Sequence, residues 1–315
     1  MSVYTELSHA DISTILADYQ IGSLISFEGI AAGIENSNFF IDTSQGKRYV
    51  LTVFERLAAD ELPYFMLLMK HLAANALACP DVMVRNDDAL LFEVHGKQGC
   101  IVSCLSGRTL DELNIAQLKS SGQAMAQLHL AGADFSMQRA NPTNSNWLAE
   151  HIDAVLEKTC ARYGSEAGQL LNNELDFQSS CAWGSLPAGL IHGDLFVDNI
   201  LFKDEQVSGI IDFYYAHHAA FAMDIAIALN AQAVLLSDAD ESRIQAFMDG
   251  YQSLRPLQED ECEALPLLLR LAALRFWVSR LYDAFFPRDG AMVQTKDPEE
   301  YRQKLVLHHA ASLFK

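Results

Sequence analysis

The stretch GLIHGDLFVDNILF, residues 189–202, places charged and amide side chains between two short apolar runs. Asn199 follows Asp194 by five positions, and Asp212 comes directly after a second apolar run, GII (209–211), eighteen positions after Asp194. If these runs pair as a hairpin around the turn KDEQ (203–206), Asn199 and Asp212 meet at its open end. The pattern therefore predicts a loop in which rigid strands hold three polar side chains near one point.

The chemistry of these three side chains indicates phosphoryl transfer. Amide and carboxylate oxygens suit Mg²⁺, which takes few protein ligands and keeps waters and phosphate oxygens. We therefore expect Asn199 and Asp212 to hold Mg²⁺, while Asp194 accepts the proton of a substrate hydroxyl as the phosphoryl group arrives. Kinases divide the roles of Asp, Asn and a second Asp in this way. His192 is expected to hydrogen-bond the loop rather than to act as an acid or base.

Upstream of this loop the sequence predicts a small antiparallel sheet. A helix capped by Ser8 comes first, and Gly-bearing joints then separate alternating apolar runs. The predicted strands cover 23–30, 36–43, 48–55, 89–95 and 99–105, and a helix at 59–76 follows the third strand. Met66 and Met69 on that helix, and Trp277 further on, are expected to be core residues.

After Gly107 the pattern becomes mainly helical. Predicted helices cover 110–133, 145–163, 165–182, 220–235, 239–252, 258–286 and 297–314, and short strands interrupt them between 189 and 213. This order predicts an α+β, bilobal chain with a small antiparallel-sheet lobe that carries one helix, residues 1–105. A larger, mainly helical lobe, residues 106–315, holds the loop.

Composition excludes several functional classes. The net charge of −19 and the scattered basic residues argue against nucleic acid. No apolar run reaches the roughly 18 residues of a membrane span, and the N-terminus does not have the pattern of a signal peptide. Six cysteines without a CxxC pair predict reduced, mostly buried thiols, a cytoplasmic protein and no zinc site.

The sequence resembles the aminoglycoside-phosphotransferase-like kinases, small-molecule relatives of the protein kinases, and within them the homoserine kinases. The resemblance covers about residues 20–285 in order. The segments that carry it are FEGIAAGIENSNFFIDT, RYVLTVFER, ELPYFMLLMKHLA, QLHLAGADF, HGDLFVDNILF, IIDFYYAHHAA and AALRFWVSRLYD.

This resemblance implies a protein-kinase-like fold, with residues 1–105 as the nucleotide-binding lobe and 106–315 as the lobe that holds the catalytic loop and the substrate pocket. It implies transfer of the γ-phosphate of ATP to the hydroxyl of L-homoserine, on the route to threonine. Asp194 is then the catalytic base and Asn199 and Asp212 are the Mg²⁺ ligands. Oligomeric state is not readable from the sequence.

The resemblance also implies nucleotide contacts. The turn GIAAGIENSNF falls where the family covers the ATP phosphates, although it has no GxGxxG pattern. Thr52 stands where protein kinases carry a Lys that pairs with the phosphates. The backbone near Ser103 to Leu105 falls at the hinge that binds adenine. The expected nucleotide contacts are Asn36, Ser37, Asn38, Thr52, Ser103 and Leu105.

An amino-acid acceptor needs groups for a carboxylate and an ammonium. Arg280 and Asp283 share one face of a predicted helix and either clamp the acceptor or pair with each other. Asp198 is expected to face the ammonium, and Tyr214 and His217 to line the pocket.

Two rival interpretations stay open. One is a sibling kinase of the same fold that acts on another alcohol, such as choline, a sugar or an aminoglycoside; the acidic surface would suit a cationic substrate. The other is a nucleotide-binding pseudokinase, which the missing Lys at position 52 suggests and the intact Asp194, Asn199 and Asp212 oppose.

Overall fold

The computed structural model describes residues 5–30, 36–181, 185–234, 241–287 and 296–310. The chain forms two compact units, one up to Ser106 and one that begins at Gly107. Residues 31–35, the middle of the turn GIAAGIENSNF that is expected to cover the ATP phosphates, lie outside the described residues.

The first unit is an antiparallel five-stranded sheet in the order β1-β2-β3-β5-β4. The predicted small sheet with a helix after its third strand is confirmed. Its elements are α1 (His9–Leu16), β1 (Leu24–Gly29), β2 (Asn36–Thr43), β3 (Arg48–Phe54), α2 (Leu62–Ala74), β4 (Phe92–Val94) and β5 (Lys97–Ser103).

Strand alternation gives this sheet two different faces. Odd-numbered residues of β2 and β3, such as Phe39 and Leu51, join the core cluster with Ile12 of α1. Even-numbered residues, such as Asn38 and Thr52, therefore lie on the opposite face. Helix α1 is held at its start by the predicted cap of Ser8.

The second unit is mainly helical and contains two small two-stranded sheets. Its elements are α3 (Ile115–Ala131), α4 (Ser145–Tyr163), α5 (Ser165–Ser180), β6 (Ala188–Ile191), β7 (Ile200–Lys203), β8 (Gln206–Ile210), β9 (His217–Ala220), α6 (Phe221–Ala228), α7 (Glu241–Gln252), α8 (Glu259–Phe285) and α9 (Pro298–Ala310). A π-helical turn, Leu229–Ala233, follows α6.

Several predicted boundaries in this unit were wrong. Helix α3 begins five residues late because Asn114 and Gln117 form a capping box. The helix expected over 220–235 changes to the π-helical turn at Leu229. Strand β9 was missed, whereas the predicted hairpin is present as β7 paired with β8.

Two glycines let α3 and α7 approach closely. A Cβ on Gly122 would lie 2.0 Å from the carbonyl oxygen of Phe247, and one on Gly250 would lie 2.0 Å from that of Lys119. Any larger residue at either position would force the two helices apart.

The expected core residues Met66, Met69 and Trp277 are buried. None of the six cysteines forms a disulfide within the described chain, but only Cys79 and Cys100 are buried, so the expectation of mostly buried thiols was wrong. Within its described part, the chain contains no helix that is both long and apolar enough to cross a membrane.

Candidate active site

The loop between β6 and β7 begins on a buried carboxylate. The backbone N–H groups of His192 and Gly193 each donate to Asp224 of α6 at 2.8 Å. His129 of α3 donates its Nε2–H to the same carboxylate at 3.0 Å, and its Nδ1 lies 2.7 Å from the Tyr251 hydroxyl. A carboxylate only accepts, so these donors orient Asp224 and Asp224 fixes the start of the loop.

The ionised form of Asp224 is the one that the structure favours. Burial raises its pKa, but the hydrogen bond and charge of His129 and the interactions with His192 outweigh burial and leave the pKa below its usual value. A fully buried carboxylate is costly unless it is paired in this way.

Two carbonyls of the loop are also held by buried side chains. Arg275 of α8 donates Nη1–H to the carbonyl of Gly193 at 2.7 Å. Gln232, in the π-helical turn, donates Nε2–H to the carbonyl of Leu195 at 2.7 Å. Side chains from α6, α8 and the π-helical turn therefore hold the backbone of this loop.

His192 has the structural role that the sequence predicts. Its Nε2–H donates to the carbonyl of Ile211 at 3.0 Å, and its Nδ1 accepts the backbone N–H of Asp194 at 3.3 Å. Burial lowers the pKa of His192, so the imidazole is neutral and can both donate and accept. The imidazole thus ties the loop to the end of the hairpin.

Gly193 is the residue that lets the loop turn close to the ring of His217 and the backbone of Tyr215. Its φ of +76° lies in the left-handed region, and a Cβ there would lie 3.0 Å from both the His217 ring and the Tyr215 carbonyl oxygen. Only glycine meets both requirements without strain.

Asp194 and Asn199 are in direct contact. The Asn199 amide donates Nδ2–H to the Asp194 carbonyl at 2.8 Å and lies 3.4 Å from its carboxylate oxygen Oδ2. Because the amide nitrogen donates to Asp194, the Asn199 oxygen Oδ1 is the atom of this side chain that could bind a cation. Asn199 is buried, whereas Asp194 is half-buried and so keeps some access to a substrate.

Asp212 lies at the open end of the β7–β8 hairpin, where the backbone N–H of Ile211 donates to the carbonyl of Asn199 at 3.0 Å. The Asp212 backbone is left-handed, with φ of 65°, and its side chain is exposed. Asp tolerates this conformation better than most residues.

This donor set fits a hard cation with few protein ligands. Asn199 supplies an amide oxygen and Asp212 a carboxylate, which are ligands that Mg²⁺ accepts alongside water and phosphate oxygens. Nowhere in the described ranges do three or more His, Cys, Asp or Glu side chains cluster as a metal site.

The residues expected at the acceptor pocket differ in their exposure to solvent. Asp198 is exposed and pairs with Lys296 at 2.9 Å. His217 is buried, donates Nδ1–H to the Tyr215 carbonyl at 2.8 Å, and has its pKa lowered mainly by burial. Tyr214 is half-buried. His217 therefore packs against Gly193 of the loop instead of facing solvent.

Sequence reasoning missed the contribution of α9. Arg280 donates Nη1–H to the Glu300 carboxylate at 2.7 Å and to the Asp297 carbonyl at 2.8 Å. Its guanidinium lies 4.5 Å from the ring centroid of Tyr301. Asp283, its expected partner in sequence, is half-buried on α8. The clustered charges of the α9 sequence were the available signal.

An aromatic cluster joins α9 to the loop between β6 and β7. Phe196 packs on Phe276 at 4.8 Å between ring centroids, and Phe276 packs on Tyr301 at 5.3 Å. Burial is the main reason that the pKa of Tyr301 is raised above its usual value. The cluster thus links α8 and α9 to Phe196, two residues after Asp194.

In the first unit, the expected nucleotide contacts of the sheet fall on two faces. Thr52 donates its hydroxyl to Asn38 Oδ1 at 2.8 Å across β2 and β3, so these two side chains share a face. Asn36 lies on the same face, and its buried Oδ1 finds no hydrogen-bond donor among the described residues. Ser37 points the other way and donates to Glu55 at 2.6 Å. Ser37 could therefore contact a nucleotide on the face of Asn38 and Thr52 only through its backbone.

Ser103 and Leu105 line a shallow depression at the end of β5. The Ser103 hydroxyl accepts the backbone N–H of Asp81 at 2.9 Å, so its side chain is already engaged. The prediction for this segment therefore rests on its backbone groups.

The chain matches known proteins over nearly all of its length. A model of the phosphotransferase enzyme family matches residues 26–260. The homoserine kinase of Methylobacillus flagellatus is 40% identical over 313 residues, which cover 99% of this chain and 96% of that protein. The homoserine kinase of Rhizobium johnstonii is 42% identical over 315 residues, which cover 98% and 96%.

Solved structures with much lower identity share the fold. Spectinomycin phosphotransferase in complex with ADP and spectinomycin matches with a TM-score of 0.75 and 12% identity over 97% of this chain and 99% of that chain. An amicoumacin kinase in complex with AMP-PNP matches with a TM-score of 0.73 and 13% identity over 98% and 95%. Both confirm the predicted kinase-like fold. The chain therefore belongs to the phosphotransferase enzyme family, together with full-length relatives that are homoserine kinases.

Proposed function

We propose that the chain catalyses ATP-dependent phosphorylation of the hydroxyl of L-homoserine, which gives O-phospho-L-homoserine. The observation that carries this proposal is the identity of about 40% with homoserine kinases over almost the whole chain. The catalytic loop, with Asp194 held beside Asn199, supports the same reaction class.

In this proposal Asp194 is the catalytic base. Its carboxylate orients the acceptor hydroxyl and takes its proton as the γ-phosphoryl group is transferred. Asn199 and Asp212 would hold Mg²⁺, which when bound neutralises charge on the ATP phosphates. Asp224 holds the backbone N–H groups at the start of the loop that carries Asp194.

Roles for the two units and the remaining residues follow from the same proposal. Residues 1–105 bind the nucleotide through the face that carries Asn38 and Thr52, and residues 106–315 bind the acceptor. Asp198 and Arg280 are the proposed contacts for the ammonium and the carboxylate of the acceptor, which would replace their present partners Lys296 and Glu300. We propose a cytoplasmic enzyme, in keeping with its thiol content.

The test is coupled ADP release by the purified protein with Mg-ATP and a panel of L-homoserine, L-serine, L-threonine, choline, methylthioribose and kanamycin. We expect strong dependence on L-homoserine. Asp194→Asn should lower kcat by about 10²- to 10⁴-fold. Asp249→Asn, an exposed carboxylate on α7, is the matched control and should keep wild-type activity.

Each other outcome points to a different function. Turnover that depends on choline or kanamycin instead would retain the mechanism and assign the sibling kinase. ATP binding without any acceptor-dependent turnover would refute the catalytic proposal and leave the pseudokinase.

A further inference from the structure

The peptide that joins Gly193 to Asp194 is held at both of its polar ends. Its carbonyl accepts Nη1–H of Arg275 at 2.7 Å, and its N–H donates to His192 Nδ1 at 3.3 Å. The Cα of Asp194 follows directly on this peptide plane. The orientation of the plane therefore sets the direction in which the Asp194 carboxylate points.

The loop cannot hold this orientation by backbone sterics alone. Gly193 has φ of +76°, and glycine has access to a wider range of backbone angles than any other residue. Asp224 fixes the N–H of Gly193 and so the preceding peptide, but it does not contact the carbonyl. Arg275 supplies the contact on the carbonyl side.

Arg275 is placed as a rigid donor. It is 5% exposed, and its guanidinium lies 4.3 Å from the ring centroid of Phe276 and 5.9 Å from that of Tyr215. Burying a guanidinium carries a desolvation cost. Arg270, on the same helix, offsets that cost with a carboxylate partner, Glu174, at 2.5 Å. Arg275 instead donates to a loop carbonyl, and its charge is also attracted by the carboxylates of Asp194 and Asp224.

We propose that Arg275 is a positioning residue for phosphoryl transfer, which holds the Gly193 carbonyl and thereby directs the Asp194 carboxylate at the acceptor hydroxyl. Arg275 acts through the loop backbone and not through contact with the substrate. The inference rests on the proposed function for the identity of the reaction. Its geometric part concerns the loop alone.

The experiment compares Arg275→Lys, Arg275→Gln and Arg275→Met in the full-length chain by steady-state ADP release. Lys and Gln retain an N–H donor, so we expect kcat within about tenfold of wild type. Met retains bulk but no donor, and misdirection of the base should lower kcat by about 10²-fold. KM for the acceptor and for Mg-ATP should stay within about threefold in all three variants.

Arg270→Met is the matched control, because it removes a second guanidinium of α8 that does not touch the loop. It should lower the Tm at least as much as Arg275→Met while keeping kcat. A wild-type kcat in folded Arg275→Met would overturn the proposal. So would a raised acceptor KM at unchanged kcat, which indicates substrate binding, or a loss of kcat that follows Tm equally in both Met variants.

Amide hydrogen exchange gives a readout that does not depend on the acceptor. Arg275→Met should speed exchange of the Asp194 amide, and Arg270→Met should not. Unchanged protection at Asp194 would refute the positioning role even if L-homoserine proves not to be the substrate. If another acceptor is used, the same split between kcat and KM is measured with that acceptor, so the two proposals fail separately.

Discussion

His308 near the end of α9 gives the second unit a defined sensitivity to acid. Its Nε2–H donates to Asn230 Oδ1 at 2.6 Å, and its buried Nδ1 has no hydrogen-bond partner among the described residues. Burial, with smaller contributions from Lys304 and other nearby positive charges, lowers the pKa of His308 to about 4. Protonation would add a positive charge to a buried imidazole that already lies near the positive charge of Lys304.

The sign and size of the effect follow from proton linkage. The unfolded chain has a His pKa of about 6.5, so it binds the proton more tightly than the folded chain does. The stabilising contribution is complete above pH 6.5 and is lost as the pH falls towards 4. Between pH 7 and pH 5 the free energy of unfolding should fall by about 2 kcal/mol from this residue.

The assay is the Tm of wild type and of His308→Gln at pH 7 and at pH 5. Gln keeps an N–H donor for Asn230 but does not titrate. A loss of about 2 kcal/mol corresponds to roughly 4–8 °C, so the Tm of wild type should fall by that much more than the Tm of the variant. His9→Gln, at an exposed histidine of α1, is the control for the substitution itself. An equal fall in Tm for wild type and His308→Gln would refute the reasoning.

Two further predictions concern the support of the loop and the proposed metal ligand Asp212. Asp224→Asn should lower the free energy of unfolding by about 2–5 kcal/mol and also lower kcat, because an amide nitrogen must then face a backbone N–H. Chemical denaturation measures the first effect and steady-state kinetics the second. A fall in the free energy of unfolding of less than about 1 kcal/mol would contradict the importance of the buried network. Asp212→Asn should raise the Mg²⁺ concentration for half-maximal activity about tenfold or more, with Tm within about 2 °C because the side chain is exposed. A Mg²⁺ titration that does not shift would remove Asp212 from the metal site.

The sequence predicts those parts of the fold that local patterns determine. Strands β2 and β3 alternate cleanly between core and opposite face, and Gly46 marks the turn that joins them, so both were placed within a residue of their ends. The hairpin of β7 and β8 was predicted for the same reason. Once it is formed, Asn199 and Asp212 must share its open end.

The parts that sequence reasoning missed depend on contacts between distant segments. Strand β9 reads HHAA, which has no β-branched residue, and it becomes a strand by pairing with β6. Asp224 and Arg275 lie in helices where a charged residue would ordinarily face solvent. Their role becomes visible only when the fold brings them to Gly193.

The charge distribution places an unusual demand on the metal. The chain carries a net charge of −19, yet it would have to bind anions, namely ATP, ADP and the phosphorylated product of the proposed reaction. Thr52 is neutral where protein kinases use a Lys to pair with the phosphates. The cations on α9 and just before it are already neutralised, since Lys304 pairs with Glu300 and Lys296 with Asp198. If ATP binds as proposed, more of the phosphate charge than in a kinase that retains the Lys would be balanced by backbone amides and Mg²⁺, and the proposed ligands Asn199 and Asp212 would matter correspondingly more.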